Sequence, residues 1–246
     1  PIWYARAPMR ALGRFLFRWR SFTPLLLLAA AVPLLVHSRG PASPVWLVAG
    51  LLFCVAGQAM RACVLGQVPD GTSGQNEKLI ATSLNTAGPY ALTRNPLYLG
   101  NLCITLGLCA VAHEPLLLLL AGLLFWLQYR AIIAAEEDFL RSRFGAEFDA
   151  YCARVPRFWP RPGHAAAPRP WDFRRALRKE HNPAASWMAL AIVLVASDHL
   201  HGALWPYAVA LAVLGIAWLS VKGWKHQWLH GGFRKDLKRR IRETAR

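Results

Sequence analysis

The chain has 246 residues, 55% of them hydrophobic, a mean hydropathy of +0.26, 11 Trp, and 29 Lys and Arg against 13 Asp and Glu. Apolar and strongly basic together, this composition excludes an ordinary soluble domain and points to a membrane protein. The net charge of +16 would suit a nucleic-acid binder if the cations covered a folded soluble surface; here they are segregated between apolar runs, so no nucleic acid is expected as a partner.

In chain order, residues 1–21 predict a basic interfacial helix. Phe15, Leu16, Trp19 and Phe22 recur at helical spacing while Arg10, Arg14 and Arg18 take another face. Six apolar runs follow, at 22–37, 45–65, 96–112, 115–135, 184–197 and 203–221, each a candidate to cross a bilayer. The fifth is short, so a tilted or re-entrant segment is an alternative there. If all six cross, the loops on one side (38–44, 113–114 and 198–202) hold only Arg39 of the 29 Lys and Arg. The positive-inside rule then places both termini in the cytoplasm. The expected fold is all-α: a polytopic membrane bundle of about six transmembrane helices with interfacial amphipathic helices. Its parts are a core at 22–160, a basic cytoplasmic linker at 161–183, a transmembrane hairpin at 184–221 and a basic amphipathic tail at 222–246. The composition, rich in Ala, Leu and Arg, resembles that of a bacterial inner-membrane protein. The five cysteines show neither CxxC nor Cys/His ligand spacing and read as small core residues, with no metal site.

Ionisable groups retained at a membrane edge are functional candidates. They concentrate in two places, around Arg94 and Asn95 and at Glu136, Glu137 and Asp138. The glutamates end the fourth apolar run, where adjacent positions about 100° apart on a helix turn one carboxylate to the bundle and the other to its side. Acidic residues at a helix C-terminus oppose the macrodipole, so a cation should compensate them: Arg130, Arg94 or a cationic ligand. Beyond them Leu140, Phe144, Phe148, Tyr151 and Val155 predict an amphipathic segment with a bend at Gly145, ended by Pro156.

Two blocks carry a family resemblance. The stretch GPYALTRNPLYLGN, residues 88–101, resembles the G-P-Y-x-x-x-R-H-P-x-Y-x-G signature of integral-membrane methyltransferases related to isoprenylcysteine carboxyl methyltransferase and phospholipid N-methyltransferases. Glu136-Glu137, Leu140, Phe144-Gly145, Tyr151 and the run from Arg154 to Pro160 resemble the same family's E-E-x-x-L-x-x-x-F-G-x-x-Y-x-x-Y-x-x-x-V-x-R-x-x-P pattern. Two departures stand out: Asn95 replaces the family's His, and Phe148 replaces the first Tyr of the Y-x-x-Y pair.

The resemblance implies a site for S-adenosylmethionine formed by Gly88, Pro89, Tyr90, Arg94, Asn95, Pro96, Tyr98, Gly100, Glu136 and Glu137. A glutamate suits the cofactor's sulfonium and ammonium groups, and an arginine suits its carboxylate. Glu137, Arg94 and Arg157 are the candidate catalytic residues, Arg157 or Arg154 as the seat of an anionic substrate group. The expected acceptor is a lipid or other amphiphile entering from the membrane, first a phospholipid headgroup amine, then a prenylcysteine-like carboxylate or a small thiol. An NADPH-dependent enzyme resembling sterol reductases and a non-catalytic membrane scaffold are the alternatives from other classes.

Overall fold

Proline opens each of the four helices that frame the site, at a first-turn position where its missing N–H leaves no bond unmade. These are α1 (Pro44–Gln67), α2 (Pro89–Leu92), α3 (Pro96–Val111) and α4 (Pro115–Phe144). Three more follow, α5 (Ala146–Arg154), α6 (Phe173–Ser197) and α7 (Trp205–Thr244). The computed structural model describes residues 15–16, 29, 31–35, 43–69, 81–160 and 170–244, with 226–244 as backbone only. No strand occurs among the described residues, and the protein is an all-helical integral membrane protein, as its composition predicts.

Among the described residues, three helical segments are long and apolar enough to cross a bilayer: α1, α4 and Trp205–Lys225 of α7. The third apolar run folds as α3, whose 16 residues extend about 24 Å, short of a full hydrocarbon core. Of the first run, only positions 29 and 31–35 are described, and they are helical. The fifth run lies within a longer helix. It is the second half of α6, and the boundary set at 184 falls inside a helix that begins at Phe173 and contains Pro183. Ala, Leu, Arg, Lys and Glu, all strong helix formers, precede that proline and carry the helix past it. The linker expected at 161–183 is therefore helical from Phe173, and 161–169 lies outside the described residues, as does most of the helix expected at 1–21.

The chain divides after Phe173 into two compact units. In the first, α1 and α3 run antiparallel with their backbones almost in contact. Gly50 faces the Gly107 carbonyl and Val111, and Gly57 faces the Gly100 carbonyl, Cys103 and Ile104; a methyl group added at Gly57 would lie 2.5 Å from that carbonyl oxygen. Both pairs are seven residues apart on each helix, two full turns, so one seam of small residues sets the approach. Between them Cys54 Sγ meets the Ile104 carbonyl at 3.5 Å. At the far end of α3 a short turn leads into α4. His113 takes φ of 55° there, and the Glu114 carboxylate caps α4 by accepting from the Leu116 amide at 3.2 Å.

At 30 residues, α4 runs about 45 Å, so its final turns project beyond a bilayer core. Gly145, at φ 51° and ψ −123°, stops it in a backbone conformation open to glycine alone among common residues, and the chain folds back as α5. Phe148, Tyr151 and Val155 of the returning segment bury against Leu84, Leu140, Phe144 and Cys152. The helical spacing predicts this amphipathic face and the bend at Gly145, and both are found. In the second unit, Trp218 Nε1 donates to Asn182 Oδ1 at 2.8 Å, tying α7 to α6.

Candidate active site at the end of the helix bundle

Gly88, at φ 60°, turns the chain into α2, and the residues Thr93, Arg94 and Asn95 then lead into α3. That short link is fastened to the segment after α5. The Arg94 amide donates to the Pro156 carbonyl at 2.9 Å, Thr93 Oγ1 to the Phe158 carbonyl at 2.8 Å and Asn95 Nδ2 to the Arg157 carbonyl at 2.7 Å. The Tyr151 hydroxyl adds a fourth tie, donating to the Tyr90 carbonyl at 2.7 Å. The two sequence blocks are thus tied together.

At their junction is Glu137, buried on α4. Arg94 Nη1 lies 3.0 Å from its Oε1, while Arg157 grips both oxygens, Nε to Oε1 at 3.1 Å and Nη2 to Oε2 at 2.5 Å. Such a two-pronged arginine contact is strong and directional. Compensation by Arg94, one of the options open in the sequence, is what the fold adopts. The macrodipole argument is corrected, because α4 continues through Phe144 and both glutamates lie inside it rather than at its C-terminus. Two further candidate residues have partners within the protein. With both oxygens bonded to guanidiniums, Glu137 is a clasp between the blocks. Arg157, expected as an anion seat, spends its planar face on Glu137; Arg154 instead donates to the Ala150 carbonyl at 3.3 Å on an exposed surface.

Glu136 points elsewhere. Its Oε1 accepts from the Tyr98 hydroxyl at 2.6 Å, and the Tyr98 ring meets Tyr129 edge-on with centroids 4.6 Å apart. Arg94 also donates through Nη1 to Cys152 Sγ at 2.7 Å, while its Nε is buried without a hydrogen-bond partner. Burial first, with the Glu136 charge second, pushes the Tyr90 hydroxyl above the ordinary tyrosine range, and burial likewise raises Tyr151. Both phenols therefore stay protonated near neutrality. Burial also raises the Cys152 thiol, against the neighbouring Arg94 charge, so this thiol is a poor nucleophile.

The departures from the family pattern have physical accounts here. Asn95 uses its amide as a donor to a backbone carbonyl, a role that needs one N–H and no titration. Phe148 is almost fully buried at 1% exposure, where a hydroxyl would require a partner. The glycines of the first block lie against α1. Gly100 faces the Gly57 carbonyl and the stem of Arg61, and Gly88 faces the Gln67 carboxamide. Both make room for α1. Helix α1 is the contribution that the sequence reading missed: Arg61 Nη1 donates to Asn101 Oδ1, and Asn101 Nδ2 to the Tyr129 hydroxyl at 3.4 Å. Arg61 counts in the sequence only as one more orienting charge, although it is the sole charged residue in α1.

The family profile described as phospholipid methyltransferase matches residues 45–147, which span α1 to the start of α5. The chain is also similar to the cobalt-zinc-cadmium resistance protein CzcN of Cupriavidus metallidurans, 32% identical over 206 residues that cover 79% of this chain and 88% of that protein. The chain belongs to the phospholipid methyltransferase family. Within this family of membrane methyltransferases it resembles protein-S-isoprenylcysteine O-methyltransferase of Homo sapiens, at 32% identity over 118 residues, 47% of this chain and 42% of the human protein. It also resembles the nickel-cobalt-cadmium resistance protein NccN of Alcaligenes xylosoxydans xylosoxydans, at 43% identity over 81 residues, 33% of this chain and 38% of the relative. No solved structure matches the chain significantly. The methyltransferase profile covers every residue of the first block and both glutamates of the second. Among the described residues, no three His, Cys, Asp or Glu side chains group as a metal site.

Proposed function

We propose that this protein transfers a methyl group from S-adenosylmethionine to an amphiphilic acceptor at the cytoplasmic face of a bacterial inner membrane, the acceptor being a phospholipid headgroup amine. The observation that carries the reading is the paired arrangement of Glu136 on Tyr98 beside Arg94, whose buried Nε–H has no hydrogen-bond partner. A buried donor of this kind is costly unless an acceptor completes it, and the cofactor's carboxylate is an acceptor of the right charge. Glu136 is the carboxylate suited to its cationic part, with Tyr98 fixing the direction of one oxygen. Glu137 takes the positioning role, holding Arg94 and Arg157 in place.

The cofactor supplies an electrophilic methyl group on a sulfonium, so the protein's work is alignment, exclusion of water and accommodation of the acceptor's proton. The hydrogen bonds that fasten residues 93–95 to residues 156–158 serve alignment by holding the two blocks together. Since α4 reaches the edge of a bilayer core about twenty residues after Pro115, Glu136 sits where a soluble cofactor and a membrane-held acceptor can meet.

Titration of S-adenosylhomocysteine into the detergent-solubilised protein should give micromolar binding, weakened more than about tenfold by Glu136→Gln, equivalent to losing one charge-assisted hydrogen bond. Binding of NADPH with no response to S-adenosylhomocysteine would defeat the proposal. Incubation with radiolabelled S-adenosylmethionine and a total lipid extract should label a phospholipid; label confined to a prenylcysteine ester or a small thiol would move the acceptor to those classes.

A further inference from the structure

Among the described residues, two buried side-chain atoms beside the first sequence block have no hydrogen-bond partner, Arg94 Nε and Gln67 Oε1. The first is a donor and belongs to the proposed site. The second is an acceptor that the proposed site leaves unused, and an unpartnered buried acceptor is costly. Gln67 ends α1 (Pro44–Gln67) and lays its carboxamide oxygen against Gly88, where an added Cβ would lie 2.1 Å from Oε1. Its Nε2 donates to Cys63 Sγ at 3.5 Å, which occupies one of its two N–H groups. The helix end that carries Gln67 is held from elsewhere in the chain. The Asp172 amide donates to the Gly66 carbonyl at 3.0 Å and Trp171 Nε1 to the Ala62 carbonyl at 3.1 Å. The indole covers Gly66, where an added Cβ would lie 2.2 Å from Nε1. The backbone that bears the carboxamide is therefore anchored by tertiary contacts.

We propose that Gln67 reads the adenine of the cofactor, its Oε1 accepting from the exocyclic amine. This rests on the proposed function, which brings S-adenosylmethionine to the site. Charge decides the pairing. The cofactor's carboxylate is matched to Arg94 and its cationic centres to Glu136, so the neutral carboxamide is left for a neutral donor. Adenine offers one, an amine beside ring nitrogens that accept, and a carboxamide carries the complementary acceptor and donor side by side. A ribose hydroxyl both donates and accepts, and so does not demand an acceptor. Placement agrees. Gly88 and Arg94 bracket α2, a single helical turn, so the acceptor and the donor belong to opposite ends of one short element, as adenine and carboxylate are opposite ends of the cofactor. Gly88 gains a role in specificity, since any side chain there would displace the carboxamide.

Isothermal titration of the full-length protein in detergent tests this with S-adenosylhomocysteine, with S-inosylhomocysteine, in which an oxo group replaces the amine, and with 2′-deoxy-S-adenosylhomocysteine. The wild type should bind S-adenosylhomocysteine at least about tenfold more tightly than the inosyl analogue, the scale of one hydrogen bond lost with an acceptor left facing an acceptor. Gln67→Met keeps the length of the side chain and removes its acceptor. It should bring that ratio to about one while leaving thermal stability without ligand equal to or above wild type, because an unpartnered acceptor is gone. Gln67→Glu retains an acceptor and should retain the preference. Gln67→Lys offers a donor instead, should reverse the preference, and carries the test should Gln67→Met not fold. The loss for the 2′-deoxy probe should be the same in wild type and Gln67→Met. The inference is overturned, with the methyltransferase reading intact, by a wild type without the preference, by a preference retained in folded Gln67→Met or Gln67→Lys, or by a Gln67-dependent loss confined to the 2′-deoxy probe. A wild type that binds none of the three overturns both.

Discussion

Asn95 and Glu137 show how single side chains hold the two blocks of the site together. Because Asn95 contributes one donor to the Arg157 carbonyl, Asn95→His should leave thermal stability and S-adenosylhomocysteine affinity close to wild type. Asn95→Leu, which leaves that carbonyl without its partner, should cost about 1–3 kcal/mol in detergent unfolding; equal loss in both variants would mean that the amide does something the imidazole cannot. Glu137→Ala leaves two guanidiniums facing each other in a site where Glu137 and Arg94 are 9% and 14% exposed. It should destabilise by about 3 kcal/mol or more, with Glu137→Gln between it and wild type. Retained stability in Glu137→Ala would show that the clasp is dispensable. The presence of both residues in a recognisable pattern was legible in the sequence, but their partners were not. Adjacent glutamates look equivalent in one dimension, and only the rotation of α4 against α3 assigns Glu137 to the arginines and Glu136 to Tyr98.

At the scale of elements, the closest helix pair depends on the absence of side chains. Replacing Gly57 or Gly107 by Leu should push α1 from α3 and lower stability by at least about 1–3 kcal/mol, because the atoms met are backbone carbonyls that cannot rotate away. Gly122→Ala, where nothing lies within 4 Å, should stay within about 0.5 kcal/mol. Heating followed by fluorescence-detected size exclusion would rank these variants, and an equally damaging Gly122→Ala would refute the seam as the cause. Gly145→Ala should cost about 1–3 kcal/mol through backbone strain with nothing nearby to clash. The α4–α5 bend and the apolar face of α5 could be read from Gly145 and the spacing of Phe148, Tyr151 and Val155, because both are local. The glycine seam could not, since α1 and α3 are joined by a long connection and no local pattern states which helices meet.

For the whole molecule, the distribution of Lys and Arg argues that both termini face the cytoplasm. A green fluorescent protein fused to the C-terminus should therefore fluoresce in a bacterial host, while alkaline phosphatase at the same position should be inactive; the reverse pattern would invert the topology and put the proposed cofactor site on the wrong face. By itself the sequence determined the class, an all-helical basic membrane protein carrying two methyltransferase-like blocks, because hydropathy and motif spacing are properties of the chain taken one position at a time. It placed the start of the fifth apolar run at 184, eleven residues after the first residue of α6, because hydropathy marks where a helix becomes apolar and not where it begins. Only the tertiary structure decided that Glu137 is held by Arg94 and Arg157 while Glu136 faces Tyr98, and that α1 brings Arg61 and Gln67 against Gly100 and Gly88. These pairings depend on the depth and rotation of one helix relative to another, set by the close approach at Gly50, Gly57, Gly100 and Gly107, and no periodicity within a single helix encodes them.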